Sequence, residues 1–261
     1  ALSAVAARAA PALARWIAGT PDASPITSSY RSTRQMLGRL EVTAAGQYTI
    51  RYDLMDGRSL RFEDERRPDT PFVPYPFPLL PGGIVANDGP EVRMRGPTLW
   101  AALHLAAERP DGSKPSVMIS VTQRIEAFSA TCIDLMDHWP ENNLPNYWVI
   151  DDTDDLWNRC LASASDYFTA DSVEYRLLRR GIVVHHGKMP GLLARRLKMV
   201  IDRGYIRVII ATSTLSEGVN IPVNYLLIPS VYRGENVLSL QEFTNLIGRA
   251  GRPGVATEGS A

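Results

Sequence analysis

The feature that most constrains this chain is an alternation, across residues 115–261, of short apolar runs with longer stretches whose apolar residues recur at helical spacing. A near-continuous run such as Val117–Val121 must be covered on both faces. A mostly parallel sheet with helices on each side provides that cover. Strands are predicted at 117–121, 182–185, 208–211 and 225–228. Between them Ile125, Phe128, Cys132, Leu135 and Met136 keep helical spacing until Pro140. Leu193, Leu197, Val200 and Ile201 do the same before Gly204, a residue suited to a helix C-terminus. The expected fold class is α/β, a parallel sheet flanked by helices.

Residues 20–114 have a different texture. Segments 40–43, 48–54 and 59–62 alternate in polarity and are separated by Ala45-Gly46-Gln47 and Asp56-Gly57, which are hairpin signals. They predict a small antiparallel β module, peripheral to the later sheet. Pro68, Pro71, Pro74, Pro76, Pro78 and Pro81 then exclude helix or central strand, so this stretch is expected to run extended as a docked connector. Helical character resumes at 98–107. Residues 1–19 read as a strand end and a helix with Leu13, Trp16 and Ile17 on one side, closed by Thr20-Pro21-Asp22.

Lysine plus arginine and aspartate plus glutamate both number 28, so no global field draws the chain to nucleic acid and any such contact must be local. Two cysteines, Cys132 and Cys160, form neither a disulfide framework nor a metal-type spacing, which points to a reduced, cytoplasmic setting. No apolar run approaches the roughly 18 residues of a membrane-spanning helix.

Ser239 and Glu242 form a capping-box pattern that starts a helix with Leu240, Phe243, Leu246 and Ile247 on its apolar face. Gln241, Asn245 and Arg249 share the opposite face. Arg249 and Arg252, in Gly248-Arg249-Ala250-Gly251-Arg252-Pro253, are close enough in sequence to converge on one anion. Phosphoryl transfer needs such planar guanidinium forks, because charge spreads over the γ-phosphoryl oxygens. Residues 211–222, Ala-Thr-Ser-Thr-Leu-Ser-Glu-Gly-Val-Asn-Ile-Pro, follow a buried strand and bring hydroxyls and a glycine to the carboxyl end of the sheet, where open α/β sheets bind ligands.

These two segments together resemble motifs V and VI of the superfamily-two helicases, particularly the Ski-like and DEAD/DEAH-box relatives. Ser116-Val117-Met118-Ile119-Ser120-Val121-Thr122-Gln123-Arg124 is similar to that family's motif IV. Residues 181–190, which include His185-His186-Gly187-Lys188, resemble the element ahead of motif V. The resemblance implies a RecA-like fold of the P-loop NTPase type for 115–261, the helicase C-terminal domain. It implies that 1–19, with its motif III-like Leu2-Ser3-Ala4-Val5, is a remnant of a first motor lobe and that 20–114 is an inter-lobe linker with an insertion. It further implies arginine fingers at Arg249 and Arg252, and nucleotide contacts at Gly218, Asn220, Asn245 and Gly248. Asparagine stands at 245 where the family commonly has glutamine or histidine. Nucleic-acid contacts are implied at Thr122, Gln123, Arg124, His186, Gly187, Arg195, Thr212 and Ser213, with Arg196 the alternative to Arg195.

By the same resemblance, ATP with Mg2+ sits between this lobe and the first motor lobe, and the partner is DNA or RNA, as a single strand. The chain has neither a glycine-rich loop ending in Gly-Lys-Ser or Gly-Lys-Thr nor the family's acidic motif II. It is therefore expected to be a segment of a longer protein that does not hydrolyse ATP alone. Two other functions fit the same residues: a non-catalytic nucleic-acid-binding or interaction module that kept the lobe, or a double-strand translocase that does not unwind. No metal site is expected. Adjacent strand residues His185 and His186 point to opposite faces, and Asp151, Asp152, Asp154 and Asp155 precede a predicted helix whose dipole they complement.

Overall fold

A computed structural model describes residues 10–24, 34–55, 76–82, 90–122, 124–150, 153–212, 221, 223–233, 236–248, 250 and 258–260. The chain divides into two compact units, Ala1–Ser32 and Thr33–Ala261. The described part of the first contains helix α1 (Ala10–Ala18), on which Trp16 and Ile17 are exposed. The side chain of Leu13 lies outside the described residues.

The second unit is built on a seven-stranded sheet. Its strands are β1 (Arg34–Val42), β2 (Tyr48–Met55), β3 (Val117–Val121), β4 (Ile182–His185), β5 (Val208–Thr212), β6 (Tyr225–Leu227) and β9 (Glu258–Ser260). They are ordered β2-β1-β9-β6-β3-β5-β4, and every neighbouring pair is parallel except β1–β2. The four strands predicted between 117 and 228 all form, within one residue of the expected ends.

Their side chains alternate between two cores, as period-two geometry requires. Val117, Ile119, Val121, Ile182, Val184, Val208 and Ile210 pack with helices α3 (Arg95–Leu105) and α4 (Ile125–His138). Met118, Val183, Ile209, Ala211 and Leu226 pack with helices α5 (Asp155–Phe168) and α7 (Gly191–Asp202) and with Leu246 of helix α8 (Leu240–Ile247). Short helices α2 (Pro90–Arg93) and α6 (Val173–Leu178) complete the helical set.

Local sequence explains where these helices begin and end. Asp154 caps α5 by accepting a hydrogen bond from Trp157 N at 2.8 Å, and its other oxygen accepts from the Tyr205 hydroxyl at 2.8 Å. These bonds hold the Asp154 carboxyl below its ordinary pKa. Asp151 and Asp152 lie outside the described residues. Helix α7 ends in a Schellman arrangement, with Gly204 at φ +71°, Gly204 N bonded to Ile201 O at 2.8 Å and Tyr205 N to Val200 O at 3.0 Å. The capping box at Ser239 and Glu242 forms, with Ser239 N donating to Glu242 Oε2 at 2.9 Å. Leu240, expected on the apolar face of α8, is instead 80% exposed. It is the first residue of the helix, and the apolar anchor at that end is the buried Leu238, just before the cap.

Residues 34–55 form the expected hairpin, closed by Thr43 N to Gln47 O at 2.7 Å with Gly46 at φ +76°. The third predicted strand, 59–62, lies outside the described residues. The hairpin is joined edge-on to the parallel strands: β1 pairs with β9, and β9 with β6. Helix α3 is buried along almost its whole length, so it has no polar face to read from sequence. The proline-rich connector is docked where described. Trp100 Nε1 donates to Pro78 O at 2.8 Å, Trp139 Nε1 to Pro81 O at 3.1 Å, and the fully buried Phe77 bonds through its N to Tyr48 O at 2.9 Å.

Candidate nucleic-acid and nucleotide interface

Because β3, β4, β5 and β6 are parallel, Val121, His185, Thr212 and Leu227 end at one edge of the sheet. The connections leaving that edge diverge. β3 leads directly into α4, in one helical layer. Its neighbour β6 leads through a two-stranded ribbon, β7 (Tyr232–Arg233) and β8 (Asn236–Val237), into α8, in the other. Such a switch point opens a crevice beyond the carboxyl ends of the strands.

Several expected nucleic-acid residues lie along this carboxyl edge. Thr212 closes β5 and its strand neighbour is Val121, so Thr122 and Thr212 emerge side by side. Arg124 is exposed and takes the left-handed conformation, φ 52° and ψ 47°, at the start of α4. A non-glycine residue pays for that conformation with roughly 1–2 kcal/mol, and such strain concentrates at functional sites. His186 lies 3.7 Å through Nε2 from Glu174 Oε1 and stacks edge-on against Phe168, with centroids 6.1 Å apart. Gly187 is exposed in the turn after β4, which Met189 N closes on His186 O at 3.0 Å.

Arg195 and Arg196 differ in their surroundings. Arg196 is tied back to α5, donating to Arg159 O at 2.8 Å and to the Ser163 hydroxyl, whereas Arg195 is exposed in the first half of α7. Gln123 and Ser213 lie outside the described residues.

His185 is 5% exposed, and neither ring nitrogen has a hydrogen-bond partner among the described residues. Burial pushes its pKa down to about 4, helped by the adjacent His186. Its ring is a neutral core group. Among the described residues no cluster of His, Cys, Asp or Glu could hold a metal ion. Cys132 and Cys160 are free and buried, and burial raises both thiols, Cys160 to about 12, so neither is a ready nucleophile.

Gly218, Asn220, Arg249 and Arg252 lie outside the described residues. Of their described neighbours, Val223 and Ala250 form an isolated parallel bridge ahead of the amino end of β6, and both are buried. Of the 211–222 segment the described residues are Ala211 and Thr212, at the carboxyl end of β5, and the buried Ile221, two residues before the bridge. Asn245 carries a buried Oδ1 with no hydrogen-bond partner among the described residues. Gly248 follows α8, and a Cβ there would stand 3.2 Å from Thr244 O.

Comparison with known proteins bears on this arrangement. The chain is 35% identical over 88 residues to the antiviral helicase SKI2 of Saccharomyces cerevisiae, 39% identical over 90 residues to the Hachiman protein HamB of Bacillus cereus, and 35% identical over 89 residues to the ATP-dependent DNA helicase Hel308 of Aeropyrum pernix. The chain is related in sequence to the Ski2-like superfamily-two helicases. The likeness takes in 32%, 34% and 33% of this chain and spans only 7%, 8% and 12% of those three proteins. No protein-family profile matches the chain. The parallel sheet with helices on both faces is consistent with the RecA-like fold of this helicase group.

Two features of the carboxyl edge had no sequence signal strong enough to find. The left-handed turn at Arg124 is carried by a residue type that gives no hint of it. The ribbon β7–β8 exposes Tyr232 and Val237 beside the crevice, but with two residues per strand it shows no alternation to detect.

Proposed function

We propose that this chain is the C-terminal motor lobe of an ATP-dependent nucleic-acid helicase or translocase. The lobe holds a single strand of DNA or RNA by its backbone at the carboxyl edge of the sheet. It presents Arg249 and Arg252 to ATP held against a first motor lobe.

The observation that carries the reading is the Val223–Ala250 bridge. It joins the residue that comes three after Asn220 to the residue that comes one after Arg249, so segments far apart in sequence approach one place. That place is distinct from the edge where Thr122, Arg124 and Thr212 emerge. A motor lobe needs this separation, because its strand and its nucleotide must be gripped at once and move relative to each other. The buried Oδ1 of Asn245, without a hydrogen-bond partner among the described residues, suits a ligand or guanidinium donor, and Gly248 leaves the end of α8 without a side chain. ATP supplies a polyphosphate whose γ-phosphoryl charge Arg249 and Arg252 would neutralise through their planar forks. The groups that hold Mg2+ are assigned to the partner lobe. At the other edge, Thr212, the exposed Arg124 and Arg195, and the turn at Gly187 offer neutral and cationic donors to phosphates, which position a strand without reading its bases.

The test is strand-stimulated ATP turnover by the whole protein. Arg249→Ala or Arg252→Ala is expected to lower it by roughly 10³ to 10⁵, as for arginine fingers generally, while strand affinity is largely kept. Lysine at either position should restore only part of the rate, since it lacks the fork. Near-normal turnover in both alanine variants would remove this reading.

A further inference from the structure

The hydroxyl of Thr122 is already engaged. It donates to the main-chain oxygen of Tyr232 at 2.7 Å, across 110 residues of sequence. Thr122 follows β3 and Tyr232 opens the ribbon that follows β6, so this bond spans the switch point itself.

A threonine hydroxyl has one proton to donate, and a phosphate oxygen only accepts. Thr122 therefore cannot serve Tyr232 and a nucleic-acid phosphate together. The ribbon, in turn, needs an outside anchor. It has two pairs, Tyr232↔Val237 and Arg233↔Asn236, extended by Leu238 N to Val231 O at 2.8 Å. An isolated ribbon of this size is marginal in water. Its described side chains do not bury it, since Tyr232 and Val237 are 57% and 59% exposed, and the Ser230 hydroxyl that accepts from Tyr232 N at 3.1 Å is a local bond. At Leu238, after the ribbon, the chain is back in the core.

We propose that Thr122 is a positioning residue: its bond to Tyr232 O fixes the β7–β8 ribbon beside the crevice, and it influences strand binding through the ribbon rather than as a phosphate ligand. The strand-binding part of this statement rests on the function proposed above, whereas the anchoring part does not. Thr212, beside it at the end of β5, keeps the phosphate role.

The experiment compares Thr122→Val, which keeps the shape and removes the hydroxyl, with Thr122→Ser, which keeps the hydroxyl. Each variant is measured for amide hydrogen exchange at Leu238 and for binding of fluorescent oligothymidylate and oligouridylate. Loss of one ordinary hydrogen bond should speed Leu238 exchange about five-fold in the valine variant. Strand affinity should fall a few-fold alongside it, and serine should restore both. Weaker binding in the valine variant with unchanged exchange would make Thr122 a direct ligand and overturn the proposal. Unchanged exchange and unchanged binding would overturn it as well. If the unmodified chain binds neither oligonucleotide, the helicase reading fails, while the exchange arm still decides whether Thr122 anchors the ribbon.

Discussion

The two edges of the parallel sheet are finished in opposite ways. At the amino edge, from β4 to β6, polar groups are turned inward. Ser116 N donates to Asn224 Oδ1 at 2.9 Å, Asn224 N returns to Ser116 O at 2.9 Å, and the Arg109 guanidinium bonds the Tyr225 hydroxyl and lies 5.7 Å over its ring. Arg207 is buried there, and burial lowers its pKa against the pull of Glu108. Trp148 lies against Gly181, and the Tyr147 hydroxyl bonds Arg180 O. At the carboxyl edge the same strands end in an exposed arginine in a left-handed turn, an exposed glycine turn and a ribbon with an exposed tyrosine. One edge seals the core, and the other spends stability on groups that face solvent. Under the proposed function, that contrast favours the carboxyl edge for the nucleic-acid strand.

The largest effect should come from breaking the seal. Gly181 has φ +74°, and a Cβ there would stand 2.4 Å from the Trp148 ring. Gly181→Ala combines backbone strain with overpacking and should cost about 2–5 kcal/mol of stability, read as a lowered urea midpoint. Strand affinity per folded molecule should be unchanged. A variant as stable as the parent would mean that the amino edge is not sealed at Gly181.

A smaller effect involves His185, buried behind the carboxyl edge, and His104, whose ring meets Trp100 at 4.4 Å in α3. Burial depresses both to about 4 in the folded chain, against 6.5 ordinarily. The unfolded chain thus binds more protons between those values. Their contribution to stability is full above pH 6.5 and is lost as pH falls towards 4, with a slope of up to about 1.4 kcal/mol per pH unit for each histidine. His185→Phe and His104→Phe should each flatten the slope of unfolding free energy against pH in that window. Unchanged slopes would mean that the rings are protonated in the folded state.

How much of this was legible in the sequence depended on how far apart the interacting residues are. The strands of the parallel core were readable because strands covered on both faces are apolar at nearly every position, and α5, α7 and α8 announced their ends through Asp154, Gly204 and the Ser239–Glu242 box. These are local signals. The joining of β1 to β9 was not readable, because it links Arg34 to Glu258 and no short-range pattern encodes a partner so distant. The same is true of Thr122 and Tyr232. A threonine after a strand looks like a phosphate contact until its partner is known. Leu240 was misplaced because helical periodicity does not show where along a helix the core begins. Arg195 and Arg196 are adjacent, and only packing against Ser163 separates the one turned inward from the one left in solvent.

The contrast between the edges is tested most directly by the salt dependence of single-strand binding. Each phosphate contact on a single strand contributes about 0.7 to the slope of log Kobs against log salt concentration. Arg124→Ala and Arg195→Ala, at the carboxyl edge, should each make that slope shallower by about this amount for labelled oligothymidylate. Lys114→Ala provides the amino-edge control: its ammonium lies 3.7 Å from Glu108 and its side chain is 54% exposed. It should leave the slope unchanged. A shallower slope for Lys114→Ala together with unaltered slopes for Arg124→Ala and Arg195→Ala would place the strand on the wrong edge and contradict the account.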